Sequence, residues 1–166
     1  MPKAAPDVIY ARKDLIPSLW QAIDTVAREE IYIERVEAPP LAETEAFQHK
    51  LIDQNWPVYY AIDGDQVVGW ADISFPTNPR LAHRGFLGMG LLPAYRGQGL
   101  GRRLLQAALD HARQIGAEKV ELSVYTTNTP AIALYQGCGF SAIGVIRHYR
   151  KHKGVYYDAL EMECFL

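Results

Sequence analysis

The feature that most restricts how this chain can fold is an apolar segment that runs straight into a glycine-rich turn and then into an amphipathic helix. The turn is Arg96-Gly97-Gln98-Gly99-Leu100-Gly101, and apolar residues recur at helical spacing over 100–115. The first N–H groups of a helix have no intrahelical partner, and glycines leave them uncovered. Together with the positive end of the helix dipole and the nearby Arg96, Arg102 and Arg103, such a turn favours a bound anion. The sequence therefore predicts a phosphate-bearing cofactor here.

Hydrophobic periodicity and turn signals predict a single domain over residues 1–166. The predicted strands are 8–12, 58–62, 66–75, 83–92, 119–126, 140–149 and 155–165. The predicted helices follow Asp14 to about Glu30, then cover 43–54, 100–115 and 129–136, the last with Thr129 as N-cap. Asp63-Gly64-Asp65 is typical of a hairpin. The element order is β-α-α-β-β-β-α-β-α-β-β, which indicates a mixed sheet with helices on its faces.

Charge and cysteine content exclude several other classes. With 17 basic and 19 acidic residues, the net charge of -2 carries no sign of nucleic-acid binding. Cys138 and Cys164 have no CxxC spacing, so no disulfide framework or metal site is expected. The segment Met1–Pro6 lacks the apolar core of a signal peptide, and no apolar run approaches the roughly 20 residues of a membrane span. We expect a cytoplasmic protein without a membrane or nucleic-acid partner.

The glycine turn is neither a P-loop nor a dinucleotide fingerprint. No Gly-Lys-Ser/Thr follows it, and Arg102 occupies the third glycine position of the dinucleotide pattern. Instead, Arg96–Gly101 resembles the Arg/Gln-x-x-Gly-x-Gly/Ala signature of the GNAT N-acetyltransferase superfamily. Downstream, Asn128, Pro130-Ala131, Leu134-Tyr135 and Gly139-Phe140 resemble the second cofactor motif of that family. The resemblance covers about residues 58–165, and its closing hairpin is similar to those of phosphinothricin- and amino-acid-type acetyltransferases.

This resemblance implies an α/β fold with a mostly antiparallel central sheet of about seven strands. The pyrophosphate of acetyl-CoA would lie on the turn, held mainly by backbone N–H groups. The pantetheine arm would add like a strand between 83–92 and 119–126, which would separate after a bulge that Gly88 and Gly90 favour. The implied cofactor-binding residues are Met89, Gly90, Leu91, Arg96, Gly97, Gln98, Gly99, Leu100, Gly101, Arg102, Asn128, Ala131 and Tyr135.

The resemblance also implies the chemistry, an attack of a neutral amine on the thioester of acetyl-CoA without a metal. Tyr135 would supply a proton to the departing thiolate, and a backbone N–H near Met89 or Leu91 would stabilise the oxyanion. Many relatives place a carboxylate on the strand at 83–92, which has none here. His83 is therefore a candidate general base. Asp72, Glu34, Glu121 and an ordered water are the alternatives.

The acceptor is expected to be a small, possibly amino-acid-like primary amine. Arg147, His148 and Arg150 could meet a substrate carboxylate, while four acidic residues could attract a cationic amine: Glu29, Glu30, Glu34 and Glu37. Aromatic residues could line a small pocket, although most of them are expected in the core: Tyr32, Trp56, Tyr59, Tyr60 and Trp70. Two alternatives stay open, a protein N-terminal or lysine acetyltransferase and a non-catalytic acyl-CoA sensor. A homodimer is possible through the closing strands.

Overall fold

The computed structural model describes residues 5–166; residues 1–4, which begin the segment without a signal-peptide core, lie outside the described residues. The described part contains seven strands and four α-helices in the predicted order. The strands are β1 Asp7–Tyr10, β2 Val58–Asp63, β3 Gln66–Ser74, β4 Arg84–Leu91, β5 Lys119–Tyr125, β6 Ser141–His152 and β7 Val155–Phe165. The helices are α1 Ile16–Ala27, α2 Leu41–Asp53, α3 Leu100–Gln114 and α4 Thr129–Gly137. Short 3₁₀ turns occupy Lys13–Leu15 and Pro93–Tyr95.

All seven strands form one sheet in the order β1-β2-β3-β4-β5-β7-β6. Neighbouring strands are antiparallel except β4 and β5, which are parallel and joined by the crossover helix α3. This parallel pair is short, because only residues 84–86 pair with 119–121. Beyond that point β4 and β5 separate, as the sequence predicted, and the opening lies at their carboxyl ends.

Helices cover the two faces of the sheet unequally. On one face, α3 packs through Leu104, Leu105 and Leu109 onto the central strands in the larger of two buried clusters. On the other face, α1 and α2 cover β1–β3, with Leu19 and Leu51 fully buried in the second cluster. Because β3 is covered on both sides, seven of its nine residues are buried. None of the helices in the described part is long and apolar enough to cross a membrane.

The predicted bulge in β4 is wrong. The strand pairs with β3 in unbroken register from Phe86 opposite Ser74 to Leu91 opposite Gly69. Gly90 has another role, since a Cβ there would lie 2.4 Å from the ring of Trp70 on the neighbouring strand. The β4 glycine therefore leaves room for a core tryptophan, and the opening arises because β5 diverges from a regular β4.

Two predicted helix boundaries also change. The first helix ends at Ala27 rather than near Glu30, whose φ of 61° is left-handed and stops the helix. The last helix is capped by Asn128 rather than Thr129: the Asn128 side chain accepts a hydrogen bond from the N–H of Ala131 at 3.3 Å. The residue proposed for cofactor contact thus has a local structural role as well.

Candidate active site

The separation of β4 and β5 opens a cleft of about 780 Å³. Its walls are residues 87–91 of β4 and 122–125 of β5, which have no partner across the gap. The β-strand edges that face each other here therefore carry free backbone donors and acceptors. An extended ligand with amide groups fits such a gap because it can pair like an additional strand.

The glycine turn closes one end of the cleft. Gly97 and Gly99 adopt φ of 72° and 78°, a left-handed conformation that other residues enter only with strain. Helical hydrogen bonding resumes at the N–H of Arg103, which donates to the Gly99 carbonyl at 3.2 Å. Among the described residues, none accepts a hydrogen bond from the N–H groups of 97–102. The turn therefore presents consecutive uncovered donors at a helix N-terminus, as an anion site requires.

The three arginines near this turn differ in orientation. The Arg96 guanidinium is held by both carboxylate oxygens of Glu29, at 2.8 and 2.5 Å, and by the carbonyl of Leu91. Arg102 lines the cleft with its guanidinium beside Gly137, whereas Arg103 donates to the carbonyl of Pro6. Arg102 is therefore the arginine side chain best placed to meet an anion on the turn.

The second motif lines the opposite wall. Asn128, Ala131 and Tyr135 all border the cleft. Tyr135 is 9% exposed, and its ring contacts Phe140 with centroids 5.8 Å apart. Burial raises the pKa of the Tyr135 hydroxyl to about 12, and among the described residues this hydroxyl has no hydrogen-bond partner. It is a free donor that stays protonated at neutral pH.

The connection between α1 and α2, residues 28–40, lines the cleft through Tyr32, Ile33 and Glu34, and we call it the strap. On the turn side it is fixed by the Glu29–Arg96 pair and by Tyr32, whose ring lies 4.6 Å from the Arg96 guanidinium. On the β6 side, Arg150 donates to the carbonyls of Glu30 and Ile33, and the Glu30 carboxylate pairs with His152 at 2.9 Å and with Lys153.

The acidic groups predicted near the substrate are mostly engaged elsewhere. Glu29, Glu30 and Glu37 pair with basic side chains, Glu37 with Arg28 at 3.7 Å. Glu34 lines the cleft and accepts a hydrogen bond from Tyr149, which raises the pKa of that phenol. Of the four predicted acidic residues, Glu34 is therefore the one placed to attract a cationic amine in the cleft.

The structure does not bring His83 to the cleft. His83 is exposed and immediately precedes the first residues of β4, where β4 and β5 are still paired. Its carbonyl accepts a hydrogen bond from the N–H of Glu118 at 2.8 Å. Leu87, where the cleft begins, is four residues further along the strand, or about 13 Å. Glu121 is also unsuitable because Arg84 and Lys119 pair with it. Asp72 is 8% exposed and lies beneath Gly88, which does line the cleft.

Few of the aromatic and basic residues predicted to contact the acceptor molecule reach the cleft. Tyr32 lines it, whereas Tyr60 and Trp70 are core residues. Arg147 and His148 are exposed on β6, with the His148 ring stacked on Tyr156 at 4.2 Å. The predictions missed several cleft residues, among them Ser123, Tyr125, Tyr149 and Ile33. Alternation along β5 was the available signal for the first two, because Ser123 and Tyr125 lie on the face opposite the buried Val124.

Two buried donors distinguish the acceptor end. Arg150 Nη2 and Tyr125 Oη are buried without a hydrogen bond of good geometry to any described residue. Burial raises the pKa of the Tyr125 phenol, and the Arg150 guanidinium, 5.6 Å from the ring centre, offsets part of this rise by its charge and by a hydrogen bond. Tyr125 lines the cleft, and Arg150 lies beside it.

A sheet opened between two parallel strands, with free donors at one end and a free phenol on the wall, defines a protein that binds an extended, phosphate-bearing ligand within its sheet. The family model of the acetyltransferase (GNAT) family matches residues 19–140, and the chain belongs to this family of N-acetyltransferases.

Relatives and solved structures agree with this assignment. N-alpha-acetyltransferase RimI of Mycobacterium tuberculosis is 37% identical over 118 residues, covering 70% of this chain and 71% of that protein. L-amino acid N-acetyltransferase AaaT of Escherichia coli is 27% identical over 147 residues, covering 86% and 90%. A Sinorhizobium meliloti phosphinothricin acetyltransferase, solved in complex with AcCoA, superposes with a TM-score of 0.90 at 19% identity, covering 98% and 89%.

Proposed function

We propose that this chain transfers the acetyl group of acetyl-CoA to the primary amine of a small, amino-acid-like molecule, by direct attack in a ternary complex. The observation that carries the proposal is the row of uncovered N–H groups at residues 97–102, which borders the same cleft as the open edge of β4. A pyrophosphate on the turn and an amide-containing arm along the edge together describe coenzyme A. The AcCoA complex of the similar S. meliloti enzyme supports this choice.

The residues present fit acetyl-CoA along its length. The turn and Arg102 would hold the pyrophosphate, and the backbone of Met89, Gly90 and Leu91 would pair with the pantetheine arm. When bound, acetyl-CoA supplies the thioester carbonyl that the amine attacks. An N–H of the unpaired β4 edge would stabilise the oxyanion that develops there. The Tyr135 hydroxyl would donate to the sulfur as it leaves.

The preference for a small acceptor rests on the strap. It is tied to the glycine turn by Arg96 and to β6 by Arg150, and it lines part of the cleft. The buried donors Arg150 Nη2 and Tyr125 Oη suit a carboxylate, and Glu34 suits an ammonium group. A group of each charge in one molecule is the pattern of an amino acid. The AaaT likeness over most of both chains supports this class.

The second candidate acceptor is a protein N-terminus, which the 37% identity to RimI favours. A peptide also begins with an amine but would have to continue out of the cleft past the strap. We further propose that the chain forms a homodimer through β6, the strand at the sheet edge. Three apolar side chains on it are about half exposed: Ile143, Val145 and Ile146.

The deciding experiment measures thiol release from acetyl-CoA with a panel of free amino acids, polyamines, aminoglycosides and N-terminal peptides. We expect release with free amino acids and little with the same residues at a peptide N-terminus. The reverse order would make the protein substrate the correct one. Tight acetyl-CoA binding without release on any amine would contradict the transferase and support the sensor.

A further inference from the structure

The reaction needs a group that removes a proton from the acceptor. An alkyl ammonium has a pKa near 10, so about one amine in a thousand is neutral at pH 7. His83 and Glu121 lie outside the cleft. Of the candidate bases, the carboxylates of Glu34 and Asp72 remain near it, and Glu34 already accepts a hydrogen bond from Tyr149.

Asp72 lies beside Gly88, a residue of β4 that lines the cleft. It is directly opposite Gly88 in the β3–β4 register, so both residues project to the same face of the sheet. A Cβ built on Gly88 would have Asp72 Oδ1 as its nearest neighbour, at 3.4 Å, and the next two nearest atoms also belong to Asp72. Gly88 itself lines the cleft. The cleft therefore borders the backbone of Gly88, and no side chain at that position covers the carboxylate beneath it.

The same carboxylate is held from behind. Tyr60 Oη donates to Gln48 Oε1 at 2.7 Å, and Gln48 hydrogen-bonds Asp72. Gln48 is 2% exposed and Tyr60 is fully buried, so the chain Tyr60–Gln48–Asp72 is fixed by the core. A carboxylate that is oriented by buried partners but open on one side has the arrangement of a positioned base.

We infer that Asp72 is the general base: it takes the proton of the acceptor ammonium through the opening at Gly88, directly or by one water. The inference rests on the proposed acetyl transfer. The ammonium N–H bond breaks and its proton goes to the carboxylate. The nitrogen lone pair forms the C–N bond to the thioester carbonyl. The C–S bond then breaks, the second nitrogen proton reaches the sulfur by way of Tyr135, and Asp72 returns its proton to solvent.

The protonation state of Asp72 suits this step. Burial raises its pKa to about 7, although the Gln48 hydrogen bond lowers it. Tyr60 of β2 is the titratable side chain that faces it among the described residues; Gln48 of α2 and Gly88 of β4 carry no charge. Burial keeps the pKa of Tyr60 above its ordinary value, so Tyr60 stays neutral. At pH 8 Asp72 is ionised and can accept a proton.

The test is the pH profile of kcat/KM for the best amine, in the wild type and in Asp72→Asn. With Asp72 ionised and the amine protonated as the reacting pair, the wild-type profile should rise to a break near pH 7 and then level off. In Asp72→Asn only neutral amine reacts, so log kcat/KM should climb with unit slope through that break. At pH 7 we expect a loss on the order of 100-fold. An unaltered break in the variant would overturn the inference.

Three further variants separate this role from a structural one. Gly88→Ala adds a methyl at ordinary contact distance over Asp72 and should lower kcat/KM at pH 7 with the carboxylate intact. Asp53→Asn, an exposed carboxylate paired with Lys13 at 2.6 Å, should leave the profile unchanged. If Glu34→Gln instead of Asp72→Asn removes the break, Glu34 is the base. A wild type that acetylates no amine contradicts the proposed function itself.

Discussion

The hydroxyl of Tyr135 is a weaker acid than the thiol it would serve. With a pKa of about 12 for the phenol and about 8.5 for a free thiol, full proton transfer to the thiolate is uphill by about 5 kcal/mol. Under the proposed function, Tyr135 would therefore act as a hydrogen-bond donor to the leaving sulfur and would pass on its proton only as another arrives from the amine. Its contribution would be to the transition state rather than to binding.

Accordingly, Tyr135→Phe should lower kcat by roughly 100-fold and leave the Kd of acetyl-CoA within about twofold. Steady-state kinetics and calorimetric titration measure the two quantities. Tyr59→Phe is the matched control, because the Tyr59 hydroxyl lies outside the cleft. It contacts His111 Nδ1 at 3.2 Å. A weaker Kd with unchanged kcat would mean that Tyr135 only shapes the site.

At this scale the sequence is informative where spacing within one element decides the outcome. Asn128 and Tyr135 lie on one short segment, so their motif predicts that they reach the same wall, and they do. Whether His83 and Asp72 lie near the cleft depends instead on the residue at which β4 and β5 separate. That point follows from pairing between distant segments, which local patterns do not encode. The structure places His83 outside the cleft for this reason.

Among the elements, the glycine turn owes both its shape and its proposed anion site to the left-handed backbone of two glycines. Left-handed backbone at Gly97 and Gly99 turns successive N–H groups outward, and it also starts α3. Among the described residues, no atom beyond the chain neighbours lies within 4 Å of a Cβ built at Gly99. Substitution there costs backbone strain of about 1–2 kcal/mol but no clash.

We therefore expect Gly99→Glu to raise the Kd of acetyl-CoA at least 100-fold, since its carboxylate would share the site with the pyrophosphate. Gly99→Gln has the same strain without the charge and should weaken binding much less. Gly116→Glu is a control for strain alone, with φ of 84° at the far end of α3. Equal affinity for the Glu and Gln variants would contradict the pyrophosphate assignment.

The strap is the element that sequence patterns described least well. Helical periodicity predicts α1 to about Glu30, but Glu30 turns left-handed and its carboxylate pairs with His152 and Lys153 on β6. More than a hundred residues separate these partners. Tertiary ion pairs thus override a local helical preference, and they convert the end of a helix into a cover for the acceptor.

For the molecule as a whole, element order and fold class could be predicted because strong turns separate the elements. The seven strands and their mixed sheet are confirmed. The unbroken β4 could not be predicted: glycines at 88 and 90 are equally typical of a bulge, and only the position of Trp70 explains Gly90. Three residue pairs are the whole β4–β5 pairing between the β1–β4 and β5–β7 parts of the sheet.

A ligand that fills this gap should stabilise the entire fold. At 100 times its Kd, a ligand specific for the native state adds about 2.7 kcal/mol, which corresponds to a rise in Tm of roughly 5–10 °C. Acetyl-CoA should produce this shift in thermal unfolding of the wild type, and the Gly99→Glu variant should shift by no more than about 1–2 °C at the same concentration. An unchanged wild-type Tm would contradict cofactor binding between the strands.

The contact between Arg96 and Glu29 has a thermodynamic consequence. Arg96 belongs to the turn, whereas Glu29 belongs to the strap, so one guanidinium joins the phosphate end of the cleft to the acceptor end. Any factor by which the bound cofactor changes the affinity for the amine must equal the factor by which the amine changes the affinity for the cofactor. Under the proposed function, the Glu29–Arg96 pair would be one structural link for such a coupling between cofactor and amine.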